Sequence, residues 1–360
     1  MLPLDNPPAK ICIIRLSALG DVTHAVPVLR AIQRQWPQTR VTWITSSLEH
    51  KLLSLLDGVT FVVIDKNAGW RGYWKLWRQL ADEKFDVMLQ MQTSARANAT
   101  GACVKAEIKL GWDRYRARDF HRLFMTHTVP PTRFEHQLLG HLSFARTIGL
   151  EVDQPEWNFP VTADAAAFVE QTLAGRERVL VISPCSSHSA RNWHAEGYAA
   201  VADYAANKHG MTVVLSGGPS ALEAAMGETI EQAMQNRPIN LIGKDTLPQL
   251  VALLQRADIV LSPDSGPAHL ANAMGTIVIG LHASTWSKRS GPYSSLDLCV
   301  DKFAEAAQIF RQKKPEDLRW GTRIEEDGVM DLIEVDEVIE KLERAIERLG
   351  WSSTRNRGLA

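Results

Sequence analysis

The sequence lacks the signals of several common protein classes. Its 360 residues contain no apolar run near the roughly 20 residues that a membrane-spanning helix needs. The first ten residues hold three prolines and no apolar core like that of a signal peptide. The four cysteines form no C-x-x-C pair, which disfavours a disulfide framework or structural zinc site. With a net charge of −1, nothing draws the whole chain onto nucleic acid. We therefore expect a cytoplasmic globular protein that does not bind nucleic acid.

Several nucleotide-site and metal-site motifs are also missing. The chain has no G-x-G-x-x-G, and Gly243-Lys244 lacks the upstream glycine of a Walker A motif. It has no H-E-x-x-H and no D-x-D, the pair that holds a metal in many nucleotide-sugar transferases. If the protein is a transferase, we expect it to work without a metal or other cofactor.

Short apolar runs alternate with helical segments through most of the chain. Such runs predict strands that are buried on both faces of a parallel sheet. A proline-containing stretch at 151–160 interrupts the alternation and indicates a linker. The pattern predicts an α/β fold with two doubly wound domains, 1–160 and 161–330, followed by a helix and tail at 331–360. We expect ligands in a cleft between the domains. The predicted strands are 11–15, 41–44, 61–64, 87–91, 179–182, 212–215, 239–242, 259–261 and 276–280.

The first candidate segment is R-L-S-A-L-G-D-V-T-H at 15–24. A strand ends there, and Asp21 leads into a helix predicted from about His24. Asp21 could simply be the N-cap of that helix, which is the commoner role of an aspartate at this place. Alternatively, a carboxylate at the end of the first strand could accept a proton from a substrate. The pattern leaves both interpretations open.

Three further strand-end loops lie in the second half. Residues 262–269 (S-P-D-S-G-P-A-H) open a helix whose N–H groups and dipole suit a phosphate, although Asp264 or Ser265 could merely cap it. Residues 183–193 offer hydroxyls and Arg191 to a diphosphate, but a solvated loop fits equally. Residues 216–223 include Glu223, which could accept hydrogen bonds from ribose hydroxyls or be a surface glutamate in a first helical turn.

A basic stretch spans residues 105–122, with Trp112, Tyr115 and Phe120 between its charges. Such a stretch can bind nucleic acid, an acidic sugar or lipid phosphates, or it can be a solvated loop. Its arginines are Arg114, Arg116, Arg118 and Arg122.

Together these segments resemble glycosyltransferase family 9, the heptosyltransferases of the lipopolysaccharide inner core. The resemblance covers residues 10–293 and is most specific at 15–24 and 262–270. It implies the GT-B architecture, with two facing Rossmann-like domains, the first for the acceptor and the second for the nucleotide sugar. It also implies inverting, metal-independent transfer from ADP-L-glycero-D-manno-heptose. The segment K-R-S-G-P-Y at 288–293 resembles the heptosyltransferase I branch, which acts on Kdo or phosphorylated Kdo of lipid A.

The resemblance also implies roles for individual residues. Asp21 matches the catalytic base, and Arg191 stands where a lysine contacts the diphosphate in a first-step heptosyltransferase. We expect the basic stretch to bind the acceptor's acidic groups and to hold the enzyme at the inner face of the inner membrane. The implied donor-binding residues are Ser186, Ser187, Glu223, Lys244, Thr246, Asp264, Ser265, Gly266 and His269. The implied acceptor-binding residues are Ser17, Gly20, His24, Arg114, Arg116, Arg118 and Arg122.

Three alternatives stay open on the sequence. A heptosyltransferase II or III, which adds heptose to a heptose acceptor, would have the same donor site. A nucleotide-dependent oxidoreductase is disfavoured by the missing G-x-G-x-x-G. A non-catalytic nucleotide-binding module is disfavoured by Asp21, although a helix cap would look the same.

Overall fold

The computed structural model describes residues 2–65 and 67–351. The chain divides into two compact units, with the boundary between Pro160 and Val161. Among the described residues, no helix is long and apolar enough to cross a membrane.

The first unit is built on a six-stranded parallel sheet with the order β3-β2-β1-β4-β5-β6. Its central strands are apolar along their length because helices cover both faces. Ile14, Ile44 and Phe85 belong to one core cluster, and each such fully buried side chain contributes about 1.5–3 kcal/mol. The strands are β1 Lys10–Ile14, β2 Arg40–Ser46, β3 Val59–Ile64, β4 Phe85–Gln90, β5 Ala106–Gly111 and β6 His127–Thr128. The helices are α1 Leu19–Gln35, α2 Ser47–Leu53, α3 Gly69–Gln79, α4 Ala95–Ala102 and α5 Gln137–Ile148.

Helix α1 contains a proline in its interior, at Pro27. Proline has no N–H, so the carbonyl of Thr23, four residues earlier, receives no helical hydrogen bond. The indole N–H of Trp157 donates to that carbonyl at 2.9 Å. The C-terminal segment of the first unit therefore stabilises the helix at the point where proline would weaken it.

The second unit repeats the same topology, with the order β12-β11-β10-β7-β8-β9 and all strands parallel. The strands are β7 Val179–Ile182, β8 Thr212–Leu215, β9 Ile239–Asn240, β10 Ile259–Pro263, β11 Ile277–His282 and β12 Val300–Asp301. The helices are α6 Ala163–Leu173, α7 Ala195–His209, α8 Ala221–Ala233, α9 Leu247–Arg256, α10 Gly266–Ala273, α11 Ser287–Ser290, α12 Phe303–Arg311 and α13 Val335–Arg348.

Both sheets have the strand order of a Rossmann-like fold, so the α/β fold class predicted from the sequence is confirmed. The order reverses between β1 and β4 in the first unit and between β7 and β10 in the second. Ligands of such folds bind outside the carboxyl ends of the strands at these reversal points. The loops after these four strands are therefore the expected ligand-binding positions.

The structure adds three strands that the sequence pattern did not predict, namely β5, β6 and β12. Strand β5 lies inside the basic stretch 105–122, for which a solvated loop was one of the interpretations left open by the sequence. The terminal helix α13, which the sequence sets apart as a third segment, packs in the core of the second unit through Val338, Leu342 and Ile346.

Candidate active site

The first unit presents an ion pair where β1 ends. Arg15 is buried, and its guanidinium donates to the carbonyl of Met91 at 2.6 Å and pairs with Asp21 at 2.5 Å. The side-chain amide of Gln137 donates to the other carboxylate oxygen of Asp21. The Asp21 side chain is nevertheless 30% exposed. The carboxylate is thus fixed in orientation and open to a ligand.

Helix α1 begins earlier than the sequence predicts, at Leu19 instead of about His24. The N-cap is Ala18, so the interpretation of Asp21 as the N-cap residue is wrong. Asp21 lies in the first turn and accepts the backbone N–H of Ala18 at 3.3 Å. This hydrogen bond from the N-cap backbone to the N3 side chain is one of the two bonds of a capping box. It involves one carboxylate oxygen and fixes the start of the helix.

Buried histidines pack behind the ion pair. The ring of His24 lies 6.1 Å from that of His136 and 6.0 Å from that of His141. Burial, together with the charge of Arg15, lowers the pKa of His141 to about 3. His141 is therefore neutral at physiological pH. Its Nδ1 lies 2.8 Å from the carbonyl of Gln137 and donates to it.

The loop after β1 is tied to the loop after β4. The side-chain oxygen of Gln92 accepts hydrogen bonds from the backbone N–H groups of Leu16 and Ser17 at 2.8 and 3.2 Å. Gly20 is buried in the first turn of α1, and its carbonyl accepts the hydroxyl of Thr23. Two of the predicted acceptor residues thus lie close to Asp21 in the chain: Ser17 in the loop after β1 and Gly20 in the first turn of α1.

The basic stretch is less uniform than the sequence suggests. Arg116 pairs with Asp113 and, at 2.9 Å, with Glu135, and its guanidinium lies 4.6 Å from the centre of the Trp112 ring. Its charge is therefore engaged inside the unit. The other three predicted arginines are exposed to solvent: Arg114, Arg118 and Arg122.

In the second unit, Arg191 lies in the loop that follows β7. The residue is 7% exposed, and its guanidinium contacts Glu325 at 3.5 Å. Its Nε has no hydrogen-bond partner among the described residues. Burial and the neighbouring Arg323 lower the pKa of Arg191, while Asp264 and Glu325 oppose that shift. A buried guanidinium with an unused donor is well suited to bind an anion.

Asp264, at the end of β10, is held by two side chains. The ring of His269 lies 3.3 Å from one carboxylate oxygen, and the hydroxyl of Ser290 donates to the other at 3.1 Å. Burial raises the pKa of Asp264. The hydrogen bond from His269 and the charges of His282, His269 and Arg191 outweigh burial and bring that pKa well below its usual range. Asp264 is therefore an ionised, fixed carboxylate.

The two strand-end loops of this unit are joined through hydroxyl groups. Ser262 donates to the carbonyl of Ser183 at 2.9 Å, and its oxygen lies 2.8 Å from that of Ser265. Ser265 is the N-cap of α10, and Gly266 is its first residue. Ser186 accepts the backbone N–H of His188 and donates to its carbonyl, whereas Ser187 is exposed.

The loop after β8 carries Glu223. Its carboxylate accepts the backbone N–H of Gly218 and, at 3.1 Å, the hydroxyl of Ser220. Asp245 is close enough to interact electrostatically with Glu223; burial and that charge raise its pKa to about 6. One acidic cluster therefore lies beyond β8.

The two predicted residues of the next loop have local partners. Lys244 donates to the carbonyl of Asn240 at 2.8 Å. Thr246 is the N-cap of α9, and its hydroxyl donates to Gln249 at 3.0 Å. Both contacts stabilise the loop, and a donor-binding role for either residue stays a prediction.

Eleven of the predicted residues follow the strands at the reversal points of the two sheets: Ser17, Gly20, Asp21, His24, Ser186, Ser187, Arg191, Asp264, Ser265, Gly266 and His269. Glu223, Lys244, Thr246 and the four predicted arginines follow other strands. The sequence did not reveal the side chains that hold the residues at the reversal points, namely Arg15, Gln137, His141, Glu325 and Ser290. Arg15 had a visible signal, because it is a charged residue directly after an apolar strand. The others come from distant segments. Among the described residues, no group of three or more histidine, cysteine or acidic side chains could hold a metal ion.

Comparison with known proteins decides the family. The profile of glycosyltransferase family 9 (heptosyltransferase) matches residues 73–318. The chain is 39% identical over 337 residues to the lipopolysaccharide core heptosyltransferase OpsX of Haemophilus influenzae, covering 94% of this chain and 97% of that protein. The chain belongs to glycosyltransferase family 9. It is therefore a glycosyltransferase, as the sequence predicted, and an oxidoreductase is excluded.

Solved structures show the same fold at low sequence identity. A family 9 glycosyltransferase from Veillonella parvula superposes with a TM-score of 0.78 at 19% identity, covering 94% of this chain and 97% of that one. Escherichia coli heptosyltransferase WaaC with ADP gives a TM-score of 0.63 at 18% identity, covering 83% and 97%. The GT-B fold class is confirmed by these similarities.

Proposed function

We propose that this protein transfers heptose from ADP-L-glycero-D-manno-heptose to Kdo, or phosphorylated Kdo, of lipid A in the lipopolysaccharide inner core. Three points support the proposal. The chain belongs to the heptosyltransferase family, its relative OpsX is a lipopolysaccharide core heptosyltransferase, and the structurally similar WaaC is known in complex with ADP.

One observation carries the proposal. Asp21 is a partly exposed carboxylate that Arg15 and Gln137 hold at the end of β1. In our mechanism a hydroxyl of Kdo attacks the anomeric carbon from the face opposite the diphosphate, so that the configuration inverts. The new C–O bond forms as the bond to the diphosphate breaks, and the proton of the hydroxyl passes to Asp21. Aspartate is a weak base for an alcohol, so it must act as the hydroxyl becomes acidic during bond formation.

The negative charge that develops on ADP must be met in the second unit. Arg191 supplies a buried guanidinium with an unused Nε–H. The first turn of α10, from Gly266, adds backbone N–H groups and the positive end of the helix dipole. Preorganised groups of this kind stabilise a leaving anion without further rearrangement. We assign Ser186 and Ser187 to the diphosphate and Glu223 to the ribose.

The other donor residues surround these groups. In our proposal Asp264 and His269 hold the loop that binds the donor, since their side chains contact each other. Lys244 and Thr246 would flank the adenine. No step of the proposed reaction is assigned to a metal ion.

The acceptor would bind in the first unit, with Ser17, Gly20 and His24 near the reacting hydroxyl. Arg114, Arg118 and Arg122 are exposed and could meet the carboxylates and phosphates of the acceptor at the inner face of the inner membrane. Arg116 fits this role poorly because Asp113 and Glu135 already neutralise it.

Charge reversal tests the acceptor assignment. We expect Arg118→Glu with Arg122→Glu to raise the Michaelis constant for the lipid acceptor about tenfold or more, with that for the donor unchanged. An unchanged acceptor Michaelis constant would contradict the assignment.

The function itself is tested by release of ADP from ADP-heptose, with Kdo-lipid A and phospho-Kdo-lipid A as separate acceptors. Turnover on either acceptor, largely abolished by Asp21→Asn, is the expected result. Turnover only on a heptose-extended core would make the enzyme a heptosyltransferase II or III. Failure to bind ADP-heptose at all would overturn the donor assignment.

A further inference from the structure

Helix α3 of the first unit displays three tryptophans to solvent. Trp70, Trp74 and Trp77 are 73%, 54% and 50% exposed. Their spacing of four and three residues places them along one face of the helix. Large aromatic side chains rarely remain exposed as a group on a surface that contacts only water.

The same helix carries a parallel line of positive charge. Arg71, Lys75 and Arg78 have the same four-and-three spacing, one residue further on, and all three are exposed. Residues 69–79 contain no acidic residue. The guanidinium of Arg78 lies 4.7 Å from the centre of the Trp74 ring. The aromatic and basic lines are therefore adjacent along the whole helix.

The side of α3 that faces the unit is anchored. Leu76 is buried within the core cluster of the first unit. The tryptophan and basic side chains therefore lie on the solvent side of an anchored helix. Substituting them should leave the fold intact.

A second exposed apolar group lies in a segment that also contacts α4. The thiol of Cys103, at the end of α4, contacts the carbonyl of Tyr73 on α3 at 3.8 Å. From the same helix, Asn98 binds His121 at 2.9 Å. Beside His121, Phe120 and Leu123 are 81% and 80% exposed. Helix α3 and the segment 118–124 thus both contact α4.

This second group is also basic. Arg118 and Arg122 are exposed next to Phe120 and Leu123. Asp119 is the one acidic residue in 114–124, and its carboxylate accepts the backbone N–H of Ala95. Asp119 and Phe120 both have positive φ, which is rare for a bulky residue such as phenylalanine, and the Phe120 side chain is exposed to solvent.

We propose that α3, together with the segment 118–124, is a docking surface for the headgroup region of an anionic phospholipid bilayer. Tryptophan prefers the boundary between headgroups and acyl chains, where its ring is in apolar surroundings and its N–H stays hydrated. Arginine and lysine beside it attract anionic headgroups. A helix with these two adjacent lines lies in the plane of the interface rather than across it.

The charge pattern favours a bilayer over a second copy of this chain. A symmetric dimer through α3 would bring the same patch of both copies together, so that Arg71, Lys75 and Arg78 of one copy would face the same three positive charges of the other. An anionic lipid surface instead complements all three charges. The link to catalysis rests on the proposed function, since a lipid-linked acceptor would be met at this surface, but lipid binding itself does not depend on it.

The test measures binding of the full chain to vesicles by sedimentation. One set contains phosphatidylethanolamine with phosphatidylglycerol, and the other only phosphatidylcholine. The aromatic variant is Trp70→Gln/Trp74→Gln/Trp77→Gln, and the charge variant is Arg71→Gln/Lys75→Gln/Arg78→Gln. The control is Leu48→Gln/Ile309→Gln, which removes exposed apolar residues elsewhere.

We expect the wild type and the control to bind anionic vesicles and to dissociate as salt is raised. The charge variant should lose about 100-fold in partition coefficient, because each basic residue near an anionic surface contributes about fivefold. The aromatic variant should lose about tenfold or more. Equal binding by wild type and both variants would overturn the proposal. So would self-association of the wild type, abolished in the aromatic variant, without vesicle binding.

Activity assays separate this proposal from the proposed function. Both variants should retain wild-type transfer to a delipidated Kdo oligosaccharide and lose transfer to Kdo-lipid A embedded in vesicles. If the wild type itself fails on both acceptors, the proposed function is wrong, and the sedimentation result still decides the docking surface.

Discussion

The two units share one topology but surround their strand-end carboxylates differently. Asp21 follows β1 and is 30% exposed, held by an arginine and an amide. Asp264 follows β10 and is almost buried, held by His269 and Ser290. In the first unit the carboxylate is oriented yet accessible, whereas in the second it is enclosed by its partners.

The difference in exposure suits the two carboxylates to different roles within the same fold. An accessible carboxylate can exchange a proton with a substrate, because solvent and ligand reach it. An enclosed, ionised carboxylate instead fixes the loop around it, since moving it would leave a buried charge unpaired. We therefore assign chemistry to Asp21 and loop architecture to Asp264.

The largest expected effect is on turnover. Asp21→Asn keeps the shape of the side chain but removes the proton acceptor, so kcat should fall about a thousandfold. Steady-state release of ADP measures it. Asp57→Asn is the matched control, because Asp57 is another aspartate of the first unit that pairs with an arginine. A loss of less than about threefold in Asp21→Asn would show that Asp21 is not the general base.

Asp264→Asn should act on stability first. Replacing the ionised partner of His269 should lower the free energy of unfolding by about 3 kcal/mol, measured by urea titration. Because the folded pKa of Asp264 lies below its usual 3.8, its stabilisation is present above about pH 4 and is lost as pH falls. The exposed Asp317→Asn is the control. An unchanged urea midpoint would remove the structural role from Asp264.

A smaller effect is expected for donor binding. Arg191→Met removes the buried guanidinium and should weaken ADP binding about 30-fold, the loss typical of a charged hydrogen bond. Calorimetric titration with ADP measures the dissociation constant. Arg191→Lys should lose less because it keeps the charge. Arg256→Met, at the surface of the same unit, should bind ADP like the wild type, and equal losses in both variants would argue against a specific contact.

The smallest effect concerns the dependence of stability on pH in the first unit. Burial lowers the pKa of His121 to about 4 and that of His141 to about 3. Between pH 6.5 and 4 the unfolded chain binds protons at these sites and the folded chain does not, so the free energy of unfolding decreases as the pH is lowered. Each histidine contributes at most about 1.4 kcal/mol per pH unit. His141→Gln should reduce the slope of unfolding free energy against pH, whereas the exposed His127→Gln should not.

Strands marked by a run of apolar residues were predictable from the sequence, and β5, β6 and β12 were not. Strands β7 and β8 have the predicted bounds because continuous apolar residues mark a strand covered on both faces. Strand β5 was missed because its sequence, A-E-I-K-L-G, mixes charges with apolar residues towards the edge of the sheet. The start of α1 was missed because Ala18 gives no capping signal.

The motifs of the candidate site were predictable from the sequence, but the side chains that hold the motif residues in place were not. Asp21, Asp264 and Ser265 follow strands, so their neighbourhood could be inferred from the order of elements. Gln137 reaches Asp21 across 116 positions of the chain, and Glu325 reaches Arg191 across 134. Such contacts depend on packing between distant segments, for which one sequence carries no local signal.

The affinity of Asp21→Asn for ADP tests the central claim most directly, because the claim divides chemistry and donor binding between different residues. We predict that the variant binds ADP with the wild-type dissociation constant in calorimetric titration, although its turnover is nearly lost. A dissociation constant that rises in parallel with the loss of turnover would contradict the account, because Asp21 would then act through the donor site rather than as the base.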